Sequence, residues 1–148
     1  MKKNYLIIFI SLFIFNLNYS IGSTKNSYFN NGKKLFENKN YKDSKFYFEK
    51  DIVFNPKSES AYLYLAKIFK KEEKKILEEN NLNTVLLINP KNEEAIYLLT
   101  LLSIKNSNFS KAKELISKLS SVCKKMCSSK IELQSKLDSS LKSEWIKI

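Results

Sequence analysis

Apolar residues recur at three- and four-residue steps along most of the chain, in short stretches separated by Asn, Pro and charged residues. Tyr28, Gly32, Leu35 and Phe36 share one helical face, and Tyr41, Ser44, Phe48 and Ile52 share the next. Ala61, Tyr62, Leu65, Ala66 and Phe69 form a third stripe, followed by Ile76, Leu82, Val85, Leu86 and Ile88. Ile96, Leu99, Leu102 and Ser103 make a fifth, and Phe109, Ala112, Leu115, Ile116 and Leu119 a sixth. Leu133, Leu137, Leu141 and Trp145, four apart, mark a seventh helix, which Ser129 and Glu132 open with the spacing of a capping box. Asn38-Lys39-Asn40 and Asn106 to Asn108 predict turns, with Asn40 a suitable cap. Asn55-Pro56 and Asn89-Pro90 end helices, because the residue before proline is pushed out of the helical region. Lys70 to Lys75 is a charge run without Gly or Asn, so the third and fourth helices are expected to meet in a tight bend or nearly fuse.

These stripes repeat at a period of 34 residues. Asn55-Pro56-Lys57 returns as Asn89-Pro90-Lys91; Tyr28, Tyr62 and Ile96 keep the same spacing, as do Phe48, Leu82 and Ile116. A period of this length in a helix-forming sequence describes stacked helical hairpins, each unable to bury its apolar face alone. The expected units are residues 25–58, 59–92 and 93–124, with a capping helix over 128–148 whose apolar side seals the stack. Gly32 costs about 1 kcal/mol inside a helix, so its use is close approach of a neighbouring helix.

Ahead of the repeats, residues 1–22 read as a secretory signal. Lys2 and Lys3 precede an apolar run from Tyr5 to Phe15, and Ser20 and Gly22 are the small residues before a cut. That run is shorter than the ~20 residues a spanning helix needs, and no Cys follows it to carry a lipid. The expectation is an exported protein of the bacterial periplasm or cell envelope, touching the membrane only through an uncleaved signal segment, if at all.

The net charge of +11 changes this picture little. All 26 basic residues are Lys, in a chain also rich in Asn and Ile, which is the mark of AT-rich coding. Without Arg there is no bidentate fork for phosphates and bases, and no nucleic-acid partner is expected. With no His and only two Gly, the commonest base, the commonest metal ligand and any phosphate-cradling loop are missing. Glu72, Glu73, Glu78 and Glu79 look exposed, are interleaved with Lys and offer no acid–base pair. The chain is therefore read as not an enzyme, with no cofactor and no metal.

The bulky, small and proline positions resemble the tetratricopeptide (TPR) family: Tyr28, Gly32, Leu35, Tyr41, Ser44, Phe48 and Pro56, then Tyr62, Leu65, Ala66, Phe69 and Pro90, then Leu99, Phe109 and Ala112. Glu78 stands where a small residue is usual, Asp51 where alanine is usual, and the third unit lacks its proline. The resemblance implies an all-α, right-handed α-solenoid of three hairpins plus the cap. It also implies a concave face lined by the first helix of each hairpin. There Phe29, Lys33 and Phe36, then Leu63, Lys67 and Lys70, then Tyr97, Leu101 and Ile104 align into one strip. The expected partner is another protein or peptide segment with apolar anchors and acidic flanks, met by ring faces and Lys stems. The carboxylate clamp of Lys, Asn and Arg known in the family is not reproduced, because Phe29, Tyr64, Glu94 and Leu98 hold those places.

Cys123 and Cys127 are the remaining chemistry. An oxidising compartment favours a disulfide, but Cβ atoms four apart on a regular helix stand about 5–6 Å from each other, so the bond needs a bend between the last two helices. Free buried thiols and a redox-active or metal-binding dithiol are the other readings, the nearby Lys124, Lys125 and Lys130 favouring thiolate. A non-enzymatic interaction scaffold is the expected function. A small thiol–disulfide protein acting through Cys123 and Cys127 is the alternative, and a basic protein docked on anionic lipid a third reading.

Overall fold

The computed structural model describes residues 25–145, so the signal segment expected over 1–22 lies outside the described residues, as does the side chain of Trp145. The chain runs through α1 (Lys25–Glu37), α2 (Tyr41–Phe54), α3 (Glu59–Lys71), α4 (Lys75–Ile88), α5 (Glu93–Lys105), α6 (Phe109–Val122) and α7 (Ser129–Trp145). The first six helices begin and end at positions 34 apart, so the sequence period is the structural period. Each odd helix pairs with the even helix after it, each hairpin packs on the next, and α7 lies against both α5 and α6.

The three hairpin turns are built alike. Lys39, Glu73 and Ser107, again 34 apart, all take positive φ (61°, 57° and 55°). In each turn the next residue's N–H reaches back five positions, from Asn40 to Leu35, Lys74 to Phe69 and Asn108 to Ser103, at 2.8–2.9 Å. This is a Schellman closure with a non-glycine residue in the left-handed position. For the second bend it decides between the two expectations, a tight turn rather than fused helices: the Lys70–Lys75 run holds the same turn as its neighbours. What that turn lacks is the cap. Asn40 and Asn108 accept the N–H of Asp43 and Lys111, whereas Lys74 has no side-chain cap bond.

Within a hairpin the helices approach at small residues. A Cβ on Gly32 would meet the Phe48 ring at 2.8 Å, and the Gly32 carbonyl accepts the Ser44 hydroxyl at 2.9 Å. Ala66 and Thr100 are the period equivalents of Gly32, and both are buried. Opposite them, Glu78 and Ala112 are the equivalents of Ser44. The buried Asp51 on α2 is satisfied by the Ser58 hydroxyl at 2.5 Å, which ties the first inter-repeat turn together.

Two hydrophobic cores result. Phe48, Ala61, Leu65, Ile68 and Phe69 form the first, edged by Phe29, Phe36, Tyr41, Ile52 and Tyr64. The second runs from Leu63 and Ala66 through Leu82, Val85, Leu99 and Leu119 to Leu133 and Leu137 of α7, and is aliphatic apart from the Tyr62, Tyr97 and Phe109 rings at its edge.

Candidate functional site

The strip expected on the odd-numbered helices divides into two parts. At its first end Tyr64 is the centre. Its ring stands edge-on to Phe29 (5.7 Å) and Phe36 (5.0 Å) and stacks on Phe48 (5.0 Å). Phe29, Phe36 and Tyr64 are all half-buried, so their packed sides join the core while part of each ring stays at the surface. Burial, then the carboxylates of Glu37 and Glu94, push the Tyr64 hydroxyl above its ordinary pKa. Lys67 stands over the Tyr64 ring at 4.8 Å and pairs with Glu94 at 2.7 Å, joining α3 to α5. Lys33 is exposed and within 3.9 Å of Glu37 on its own helix.

At the other end, Leu101 and Ile104 lie half-buried against the aliphatic core. The Tyr97 hydroxyl donates to Glu132 of α7 at 3.0 Å, and its pKa is raised by burial first and by that carboxylate second. Glu132 was expected to reach back to Ser129 as a capping box; it serves instead as a tie between the cap helix and the strip. Leu63 lies inside the core at 8 % exposure, and the neighbouring Tyr64 presents its ring in the same region. Lys70 lies at the far tip, beside a small cavity of about 70 Å³ that it shares with Glu73, Lys75, Glu78, Leu101, Leu102 and Lys105. Glu78, expected to be exposed, is instead buried at the small-residue position facing Ala66; burial raises its pKa, and Lys70 and Lys105 partly offset the effect.

Two acids do work that local reading did not find. Glu59, in the first turn of α3, accepts the side-chain amides of Asn89 (2.9 Å) and Asn92, fixing the turn that leads into α5. Its equivalent Glu93, in the first turn of α5, accepts the backbone N–H groups of Lys124 (2.9 Å), Lys125 (3.0 Å) and Met126 (2.6 Å), fixing the turn that leads into α7. These bonds, the one from Met126 foremost, hold the Glu93 carboxyl below its ordinary pKa. The sulfurs of Cys123 and Cys127 stand 2.12 Å apart across this same turn, with Cα atoms 5.2 Å apart. The bend that the spacing required is therefore present where α6 ends. The signal that could have exposed the anchors is the 34-residue recurrence of Glu at 59 and 93.

No family model matches the chain, and no curated protein matches it. Solved structures do. The Yersinia enterocolitica type III secretion translocator chaperone SycD superposes with a TM-score of 0.74 at 13 % identity, over 88 % of this chain and 93 % of that one. The same chaperone in complex with a peptide of the translocator YopD gives 0.68 at 13 % identity, over 88 % and 98 %. The first TPR domain of human RPAP3 gives 0.72 at 15 % identity, over 84 % and 97 %. A first TPR of RPAP3 bound to an HSP90 peptide gives 0.71 at 15 %, over 80 % and 93 %. With six of its described helices at this period, the chain has the tetratricopeptide-repeat fold.

Proposed function

We propose that the protein is a non-enzymatic interaction scaffold that takes a segment of another protein along the strip of its odd-numbered helices. The observation that carries this reading is the half-buried trio Phe29, Phe36 and Tyr64, flanked by Lys33 and Lys67. Ring faces already held by the core lose little conformational freedom on binding, and the Lys stems cover apolar surface while their charge stays wet. A segment with aromatic or aliphatic anchors and acidic flanks fits this chemistry. Two of the structural neighbours, SycD and RPAP3, are seen bound to peptides, which supports a peptide-sized ligand. The place of action is the bacterial envelope, supported by the leader-like residues 1–22.

The test is titration of an array of acidic, aromatic peptides against the wild type and a Lys33→Glu, Lys67→Glu variant, with Lys67→Met as the control for the lost Glu94 pair. The reading expects binding that falls at least about tenfold in the double charge reversal, as reversing charges beside an acidic ligand should. Equal binding by all three proteins would remove it.

The Cys123–Cys127 pair serves this scaffold as a brace. Its turn is already held by the Glu93 carboxylate, and a bond there fixes how α7 leaves the stack. Serine at both positions should cost about 2 kcal/mol of stability, the scale for closing so short a loop, with peptide binding unchanged. A protein that loses disulfide-exchange activity instead would return the redox reading.

A further inference from the structure

The most exposed large apolar side chains, Leu87, Ile76, Ile131 and Val53, all lie off the strip, and two of them share one edge. Val53 is 73 % exposed at the end of α2, and Leu87, its equivalent one period later at the end of α4, is 84 % exposed. Phe46, at 56 % and seven residues before Val53, stands on the same side of α2, whereas Phe54, at 54 %, lies about 100° round the helix and stacks on Tyr28 of α1 at 5.4 Å. Pro56 and Lys57 of the first inter-repeat turn line a shallow cleft of about 380 Å³ with Thr84, Leu87 and Ile88 of α4, so the two helix ends form one continuous edge.

The same edge is basic by repetition. Lys57 and Lys91, each four residues after its exposed aliphatic, are both at the surface, and among the described residues neither has a carboxylate at ion-pair distance. Lys50 lies over the rings of Tyr28 (5.0 Å) and Phe46 (5.4 Å). The acids nearest these turns are consumed inside the fold: Asp51 by Ser58, Glu59 by Asn89 and Asn92. Glu49 is the exposed acid on this stretch of α2, and from Asn80 to Asn92 there is none.

We propose that this edge docks on an anionic lipid surface, Val53, Leu87 and Phe46 entering the interface and Lys50, Lys57 and Lys91 meeting the headgroups. Apolar side chains that project from one edge, with Lys beside them, match a soft anionic interface, where apolar burial and electrostatic attraction add. A second copy is a poor occupant. A two-fold contact centred on Leu87 and Lys91 would bring these lysines toward the same basic edge of the other molecule, with Glu49 the exposed acid there to offset them. The proposal concerns a different surface from the peptide strip and does not depend on it.

Flotation of the full chain with phosphatidylcholine vesicles, with and without phosphatidylglycerol, tests it. Residues 1–22 are common to all variants, so differences between variants report the edge alone. Expected are a preference of the wild type for the anionic vesicles, weakening as salt rises, and a loss of about tenfold or more in Lys57→Glu, Lys91→Glu. Val53→Ser, Leu87→Ser should lose affinity on a similar scale, with the circular dichroism of both variants unchanged. Vesicle binding equal to wild type in both double variants would overturn the proposal. So would sedimentation showing that the serine variant has lost a dimer, or capture showing that it has lost a protein partner, with its lipid binding intact.

Discussion

The two ends of the stack solve one packing problem with different materials. The first core is ringed by aromatics: Phe29, Phe36, Tyr41 and Tyr64 surround Phe48, and each keeps part of its ring at the surface. The second is an aliphatic interior closed by Leu133 and Leu137 of α7, both fully buried. Aliphatic side chains fill space and disappear. Flat rings pack on a core and still keep part of their area at the surface, so the lobe that holds itself together with rings is also the one the proposed function assigns to a partner. Its Lys residues take part: Lys45, Lys50, Lys67 and Lys71 each stand within 6 Å of a ring centroid. The second lobe shows the converse arrangement, Tyr97 engaged by Glu132 and the last turn tied to Glu93.

Breaking the aromatic lobe at its centre should give the largest effect. Phe48→Ala removes the ring shared by Gly32, Phe29 and Tyr64, and should cost about 3–5 kcal/mol in denaturant unfolding. If the lobes are separable, the loss will appear first in hydrogen exchange of α1 to α3, with α5 to α7 still protected. A smaller effect comes from Gly32→Ala, which drives a methyl into that ring and should cost about 1–3 kcal/mol. Retained stability there would mean that α1 and α2 separate freely, and the aromatic lobe would be the looser of the two.

The remaining changes sharpen the contrast by mending the middle repeat. Lys74→Asn supplies the cap that Asn40 and Asn108 give their helices, and should add about 1 kcal/mol. Glu78→Gln is the smallest and depends on pH. The folded state raises the pKa of Glu78 through burial, so the folded protein holds that proton more tightly than the unfolded chain. Stability is therefore lost as pH climbs through the ordinary carboxylate range to the raised value, and the penalty is complete above it. The variant should be more stable than wild type at pH 7, and the gain should vanish as pH falls below the ordinary carboxylate value. A gain independent of pH would place its cause outside this titration.

Much of this was legible because helical hairpins write their contacts locally. The period set the helices and turns, and Gly32 announced a close approach that Phe48 and Ser44 make. The second turn was hidden because its left-handed residue is Glu73 in a charge run, and the closing bonds are backbone ones that ask little of the side chain. On the strip, one residue of helical phase separates Leu63, turned into the core, from Tyr64, central to the aromatic cluster. That phase depends on how α3 packs against both neighbours. The anchoring roles of Glu59 and Glu93 stay hidden in the sequence because their partners lie 30 to 33 residues downstream. The exposed edge at Val53 and Leu87 was visible as apolar residues in helices, but only the fold shows that nothing covers them.

The Glu59 anchor carries its own partners, because Asn89 and Asn92 fall inside the same 34 residues. Residues 59–92 are thus a self-contained building block. A second copy inserted after Asn92 would begin with Glu, as Glu93 does now, would find the same Asn cap before it, and would bring its own pair of Asn for the next joint. The stack can in this way be lengthened by whole units without inventing a new junction, and each added unit extends the strip and the Lys-bearing edge together.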